Sequence, residues 1–414
     1  MKLSLRAKTL VAIALFAVLF CALIVVATFY DYQISEILTK NALPSGEYYA
    51  TDFFGVLLES IGTSPIYLFA AFCCCVLFWV CVKVWKKKPF NTILAVVFGI
   101  ATVVAFWFAV KDSISYIFDH VFKVLHNPED IEAVDGVYHS AATYGIEVFF
   151  AMILAGLALL ATKHFKEETL KSLFKLCITA VIAVAVANLL IAIIKGPVGR
   201  MRFRAINSTL GQEFIANGEV SGFTKWFVAN GQPSDAVREA FEKTYGASDA
   251  FKSFPSGHTC AAATTYVLVM LPDVIEFKHK KGAKIACWAT PIVITMLVAI
   301  SRIVVGAHYM SDVTMGGTIA FLCVIIAREV LICKGSHFFA LFPQLKKEKA
   351  VAVNGEGKAV EDDAQDVQSC GTCENENVEN AIVENGTVDV EQANVGEAQA
   401  IPLDELQDGD GKAE

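Results

Sequence analysis

Apolar residues run along this chain in long unbroken blocks, without the strict alternation that marks a strand. Eight blocks of about 20 residues stand out, at roughly 9–30, 66–85, 92–111, 144–162, 173–194, 258–276, 285–304 and 313–333. Wound as a helix, a block of that length matches the hydrocarbon thickness of a bilayer. The clearest contains ILAVVFGIATVVAFWFAV, in the run at 92–111; the weakest is 258–276, where Pro272 and Asp273 shorten the apolar stretch. The pattern predicts an all-α, polytopic transmembrane helix bundle of about eight spans. The first block follows the basic start MKLSLRAK. It is longer than the apolar region of a signal peptide and no small-x-small cleavage site follows it, so it is expected to stay as an uncleaved helix.

Composition agrees: 55% of the residues are hydrophobic and 18% charged, a balance no soluble domain of this size needs. Charge then orients the helices. Lys and Arg cluster at Lys2, Arg6 and Lys8, in KVWKKKP near 83–89, in KHFKEETLKSLFK at 163–175, in KHKKGAK at 278–284, and at Lys334 and 346–349. These are alternate loops of an eight-span chain. The positive-inside rule puts them in the cytoplasm with both termini, and puts 31–65, 112–143 and 196–257 outside; the plasma membrane is the expected location. SISYIFDHVFKVLHN, in the outer segment 112–143, has the spacing of an amphipathic interfacial helix or of a re-entrant connector.

Past about residue 350 the character changes. The stretch to the end holds 17 acidic residues against two lysines. It cannot bury enough apolar surface to offset the entropy of ordering, and reads as a disordered acidic C-terminal tail. That tail turns a net positive membrane part into a chain of formal charge −8. All 12 cysteines lie in spans or in the tail, which argues against a disulfide framework. CGTC at 370–373 lacks the second pair that a metal or redox motif needs. Asn207 begins a glycosylation sequon on the outer side. There is no internal repeat, no Gly-rich nucleotide loop and no expectation of a nucleic-acid partner.

Three polar clusters interrupt the apolar pattern: KGPVGRMRFR after the fifth block, with Lys195, Arg200, Arg202 and Arg204; Pro255-Ser256-Gly257-His258 before the sixth; and SRIVVGAHYMSD, Ser301 to Asp312, between the seventh and eighth. Each cluster taken alone reads as snorkelling cations or helix punctuation. The predicted topology brings all three to the outer leaflet. Cations, two histidines, a serine–glycine turn and an aspartate are what phosphoryl chemistry requires.

Lys195-x6-Arg202, then Pro255-Ser256-Gly257-His258, then Ser301-Arg302-x5-His308-x3-Asp312 resemble the three-part signature of the type 2 phosphatidic acid phosphatase superfamily. That family includes lipid phosphate phosphatases, undecaprenyl-diphosphate phosphatases, glucose-6-phosphatase and vanadium haloperoxidases. The second and third motifs match in full; the first carries Phe203 where the family has proline. The likeness spans roughly 173–333, dividing the chain into N-terminal helices and outer loops (1–172), a phosphatase-type core (173–333) and a cytoplasmic tail (334–414).

The resemblance implies a phosphate clamp of Lys195, Arg202 and Arg302, with backbone donors at Ser256 and Gly257. It implies His308 as nucleophile, Asp312 as the carboxylate that fixes its tautomer, and His258 as general acid and base. No cofactor is called for, and the ligand set of a phosphatase metal site is missing from the clusters. The expected substrate is a phosphate or diphosphate on a lipid head group, met at the outer lip of the bundle, with the loop 203–254 as a roof. The alternatives are phosphotransfer to an acceptor alcohol and a non-enzymatic anion transporter or channel. A transporter draws little support, because the spans carry almost no charge to line a path.

Overall fold

The structure, a computed structural model, describes residues 4–85, 89–117 and 140–343. The expectations for most of the 113–127 stretch, the lysines at 86–88, the CGTC pair and the acidic tail fall outside the described residues. Among those described there is no β-strand; an isolated backbone bridge joins Gly46 to Ser208. The chain is an all-α membrane protein.

In chain order the helices are α1 (Leu5–Thr39), α2 (Phe53–Ile61), α3 (Ser64–Trp79), α4 (Phe90–Ile117), α5 (Ala141–Thr162) and α6 (Glu167–Val198). The loop after α6 then holds α7 (Phe203–Asn207), α8 (Thr209–Ala216) and α9 (Asp235–Tyr245). After it come α10 (Gly257–Ala263), α11 (Leu271–Val274), α12 (Lys280–Val304), α13 (Met310–Ala327) and α14 (Ser336–Leu341). Local chemistry sets the starts. Ser4, Asp52, Ser140, Ser234 and Ser256 each accept a hydrogen bond from a first-turn N–H of α1, α2, α5, α9 and α10.

Among the described residues, seven stretches are long and apolar enough to cross a membrane. They coincide with every sequence-predicted block except 258–276, which is a chain of short pieces: α10, a 3₁₀ segment Thr264–Met270, and α11. The break has a local cause. The hydroxyls of Thr264 and Thr265 donate back to the carbonyls of Ala261 and Ala262, each at 2.6 Å, which competes with a regular helical turn. The three pieces together extend about 30 Å, enough to cross the hydrocarbon layer. Their alanines are buried, so this stretch is enclosed by neighbours where a peripheral span would meet lipid.

Small residues let three helices meet there: Ala187 and Ile191 of α6, Cys260 and Ala263 of α10, and Ala320 of α13 form one buried cluster. Elsewhere α1, α4 and α5 present Leu15, Val18, Phe29, Ile93, Ile100, Phe149 and Leu160 outward, as a lipid-facing surface requires. The loop between α6 and α10 has its own core, in which Met201 and Ala205 pack against Val237 and Phe241 of α9 and against Tyr48, Ala250 and Phe251. That core backs the polar residues that follow α6.

Candidate active site

Helix α6 ends on Gly199, in the left-handed region at φ 56°, where a Cβ would collide with the Gly231 carbonyl. Two carbonyls of its last turn are satisfied by the returning loop, since Asn230 and Gly231 donate to Val198 and Pro197. Lys195 lies on this last turn. Its ammonium stands 3.4 Å from where a side chain on Gly257 would begin, so the glycine leaves the cation open to the turn. Beyond Gly199 the backbone is pinned in place: Arg202 donates to Ala250, Arg204 to Gly306, and Ser253 to Arg200. Phe203 occupies the position of the family proline, starts α7, and packs in an apolar cluster with Leu43, Val305 and Tyr309.

The turn at 255–258 leans on α13. Ser256 N–H donates to the Asp312 carbonyl at 3.0 Å, and a Cβ on Gly316 would strike the Ser256 carbonyl. The Ser256 hydroxyl accepts from Thr259. The Ser256 backbone donor is therefore already spent within the fold. Ser256 thus fastens the turn to α13, and Gly257 follows it as the first residue of α10.

His308 precedes α13 and is fully buried. Its Nδ1 lies 2.6 Å from the Ser253 carbonyl oxygen and 3.6 Å from Asp312 Oδ2. The nearer acceptor is the carbonyl, so Ser253 holds the proton on Nδ1 and leaves the lone pair on Nε2. Burial pushes the His308 pKa down to about 3, which keeps the ring neutral. Nε2 is buried without a hydrogen-bond partner, and so is the Nε donor of Arg202. Asp312 is held on both oxygens: Oδ1 accepts from Arg200 at 2.6 Å, and Oδ2 from Tyr309 N–H at 2.9 Å and from the Ser253 hydroxyl. The charges of Arg202 and Arg302 act on both His258 and His308, and those of Arg202, Arg302 and Asp312 act on Lys195. Lys195, Gly257 and His258 are partly exposed, whereas His308, Arg302 and Asp312 are buried.

Residues 176–331 match the PAP2 superfamily. The segment from α6 to α13 is thus a PAP2 superfamily domain. PAP2 proteins act on phosphoesters as phosphatases or phosphotransferases, and this is a membrane protein of that reaction class. Comparisons with curated proteins and with solved structures give no match.

Several residues of the PAP2 site were invisible to motif reading. Arg200 and Arg204 do not join the expected clamp. Arg200 bridges Asp312 to Asp31 of α1, with Nη2 2.9 Å from Asp31 Oδ2, and stacks on Tyr309 at 4.1 Å. Asp31 in turn accepts from the Ser311 N–H at 2.9 Å. Glu59 of α2, 1% exposed, is ion-paired with Arg302 and lies 3.7 Å from Arg204, which stacks on Tyr48. Asp249 pairs with Arg202 at 2.5 Å. Burial alone would raise the Asp249 pKa, but Arg202, Arg204, Arg302 and Lys195 together hold it below the usual carboxylate range. One signal could have found Asp31 and Glu59: an acid inside an apolar helix is expensive unless it has a purpose. A cavity of about 540 Å³ opens beside Asp31, lined by Tyr32, Phe223 and Lys225; none of the expected site residues lines it.

Proposed function

We propose that this PAP2 protein is a membrane phosphatase that hydrolyses a phosphomonoester or diphosphate carried on a lipid head group, through a phosphohistidine on His308. The observation that carries the reading is the pair of buried, unpartnered atoms: an acceptor, His308 Nε2, and a donor, Arg202 Nε, in the cluster that Lys195 and His258 complete. A phosphoryl group satisfies both at once, taking the lone pair on phosphorus and the N–H on oxygen.

Lys195, Arg202 and Arg302 neutralise the phosphoryl oxygens, and the bare Gly257 lets them approach the turn. His308 Nε2 attacks phosphorus, and the P–O bond to the alcohol breaks. His258 gives that alcohol its proton, then takes one from the water that releases phosphate. Asp312 and the Ser253 carbonyl keep His308 oriented. The positive-inside pattern supports a site on the non-cytoplasmic face of the plasma membrane. Its position at the lip of the bundle supports a lipid substrate.

The test is phosphate release by the purified protein from a panel of lipid phosphates and diphosphates, with chelator present and no acceptor alcohol. Release in chelator is expected, with loss by at least about 10³-fold in His308→Ala. His258→Ala should trap acid-labile phosphate on the protein, because the second step lacks its base. Normal turnover in His308→Ala removes the mechanism. Turnover only when an alcohol is supplied would identify a phosphotransferase.

A further inference from the structure

The far end of the last span brings together a second set of reactive side chains. After α13 the chain makes a π-helical turn, Arg328–Ile332, and folds back through Lys334 and Gly335, at φ 49° and 78°. α14 begins immediately afterwards. The fold-back gathers Glu329, Cys333 and His337: a carboxylate oxygen, a thiol sulfur and an imidazole nitrogen lie within 4.8 Å of one another. Cys333 is buried, and the other two are part-buried. Glu329 is held from one side, its Oε1 accepting from His337 N–H at 2.7 Å and Phe338 N–H at 3.0 Å. Its Oε2 is thereby directed at His337 Nδ1, 2.8 Å away.

We propose that Glu329, Cys333 and His337 form a binding site for a zinc-class divalent cation. Capping of α14 accounts for Glu329 Oε1, while Oε2, the His337 imidazole and the Cys333 thiol come together beside it. Sulfur, nitrogen and one carboxylate oxygen are the mixed donors that borderline-soft ions take, while magnesium and calcium demand all-oxygen sets. Tetrahedral coordination with bonds of about 2.0–2.3 Å keeps ligand atoms about 3.5 Å apart, so through side-chain rotation the widest separation closes by roughly 1 Å while Glu329 Oε2 and His337 Nδ1, 2.8 Å apart, move apart to admit the ion. On binding, Cys333 releases its thiol proton to solvent and the ligating His337 nitrogen is unprotonated. Three protein ligands leave a fourth position for water. The site lies about 25 Å along α13 from Asp312, so it stands or falls independently of the phosphate chemistry.

Cobalt(II) titration of the full-length protein in detergent tests this, because thiolate ligation gives a charge-transfer absorption band. The expected band saturates at one ion per chain, is displaced by zinc, and is absent in Cys333→Ser. His337→Ala and Glu329→Gln weaken cobalt binding at least about tenfold, while Cys370→Ser/Cys373→Ser leaves it intact. A band that persists in Cys333→Ser, or that vanishes with the tail cysteines, overturns the proposal. If Cys333→Ser does not fold, His337→Ala decides the matter: unchanged cobalt affinity in a chain with unchanged gel-filtration elution would refute the site.

Discussion

The N-terminal helices and the PAP2 core divide the polar work of this protein unevenly. The core, matched over residues 176–331, carries the histidines and nearly all the site cations. It buries Arg200, Arg204 and Arg302 almost completely, yet offers those three few anions of its own. The helices before it supply the balance: Asp31 from α1 reaches Arg200, and Glu59 from α2 reaches Arg302 and Arg204. Chemistry that a family shares thus sits on a scaffold whose electrostatics this chain completes with segments outside the match. An arginine inside a bilayer protein is tolerable only when paired, so these acids are as necessary to folding as any apolar contact.

The strongest way to break that division is to remove Asp31. Asp31→Ala leaves Arg200 half-compensated in a dry site, at a loss of about 3–5 kcal/mol. Chemical unfolding in detergent should show it, together with weaker phosphate release as Asp312 loses its anchored partner. Asp31→Asn keeps the hydrogen-bond geometry and should cost less. Unfolding free energies for Asp31→Ala equal to the parent's would mean that α1 is merely packed alongside the core.

The next comparison sets Glu59 against Lys195. Glu59 fixes Arg302 from behind; Lys195 stands beside Gly257. Lys195→Ala removes a charge-assisted contact to phosphate and should raise KM about tenfold or more. Glu59→Gln keeps the side-chain shape but loosens the guanidinium, and should lower kcat about tenfold with little change in KM. Tighter phosphate binding in Glu59→Gln would reverse the assignment, making Glu59 a resident anion that substrate must displace.

How much of this could be read from the chain itself follows the same divide. Seven long helices were legible because lipid demands uninterrupted apolar runs, and nothing else in a sequence mimics them. The break at Thr264 was not, since it depends on two hydroxyls choosing backbone carbonyls within a buried stretch. His258, His308 and the three cations were legible as motif spacing. Ser253 was overlooked although it lies just ahead of the second motif: its contribution to His308 is a carbonyl, and a carbonyl leaves no mark on residue identity. Asp31 and Glu59 were in plain view as acids within apolar runs. Only three-dimensional proximity assigns them to arginines far away in sequence.

The gentlest probe of the divide is the tether between the two regions. Asn207, just past the first motif, donates both amide hydrogens to the N-terminal segment, to Pro44 at 2.8 Å and Glu47 at 3.1 Å. The same amide is the acceptor nitrogen of a glycosylation sequon, so a glycan there would require both bonds to break. Asn207→Ala should therefore reduce stability by only about 1 kcal/mol, because the bonds are solvent-exposed, and should leave kcat/KM unaltered. Expressed in a glycosylating host, parent and variant should migrate identically on a gel after folding. A glycan on Asn207 of the parent would show that the 44–47 segment does not dock on the core, and that Asp31 and Glu59 hold the two regions together without help from the loop after α6.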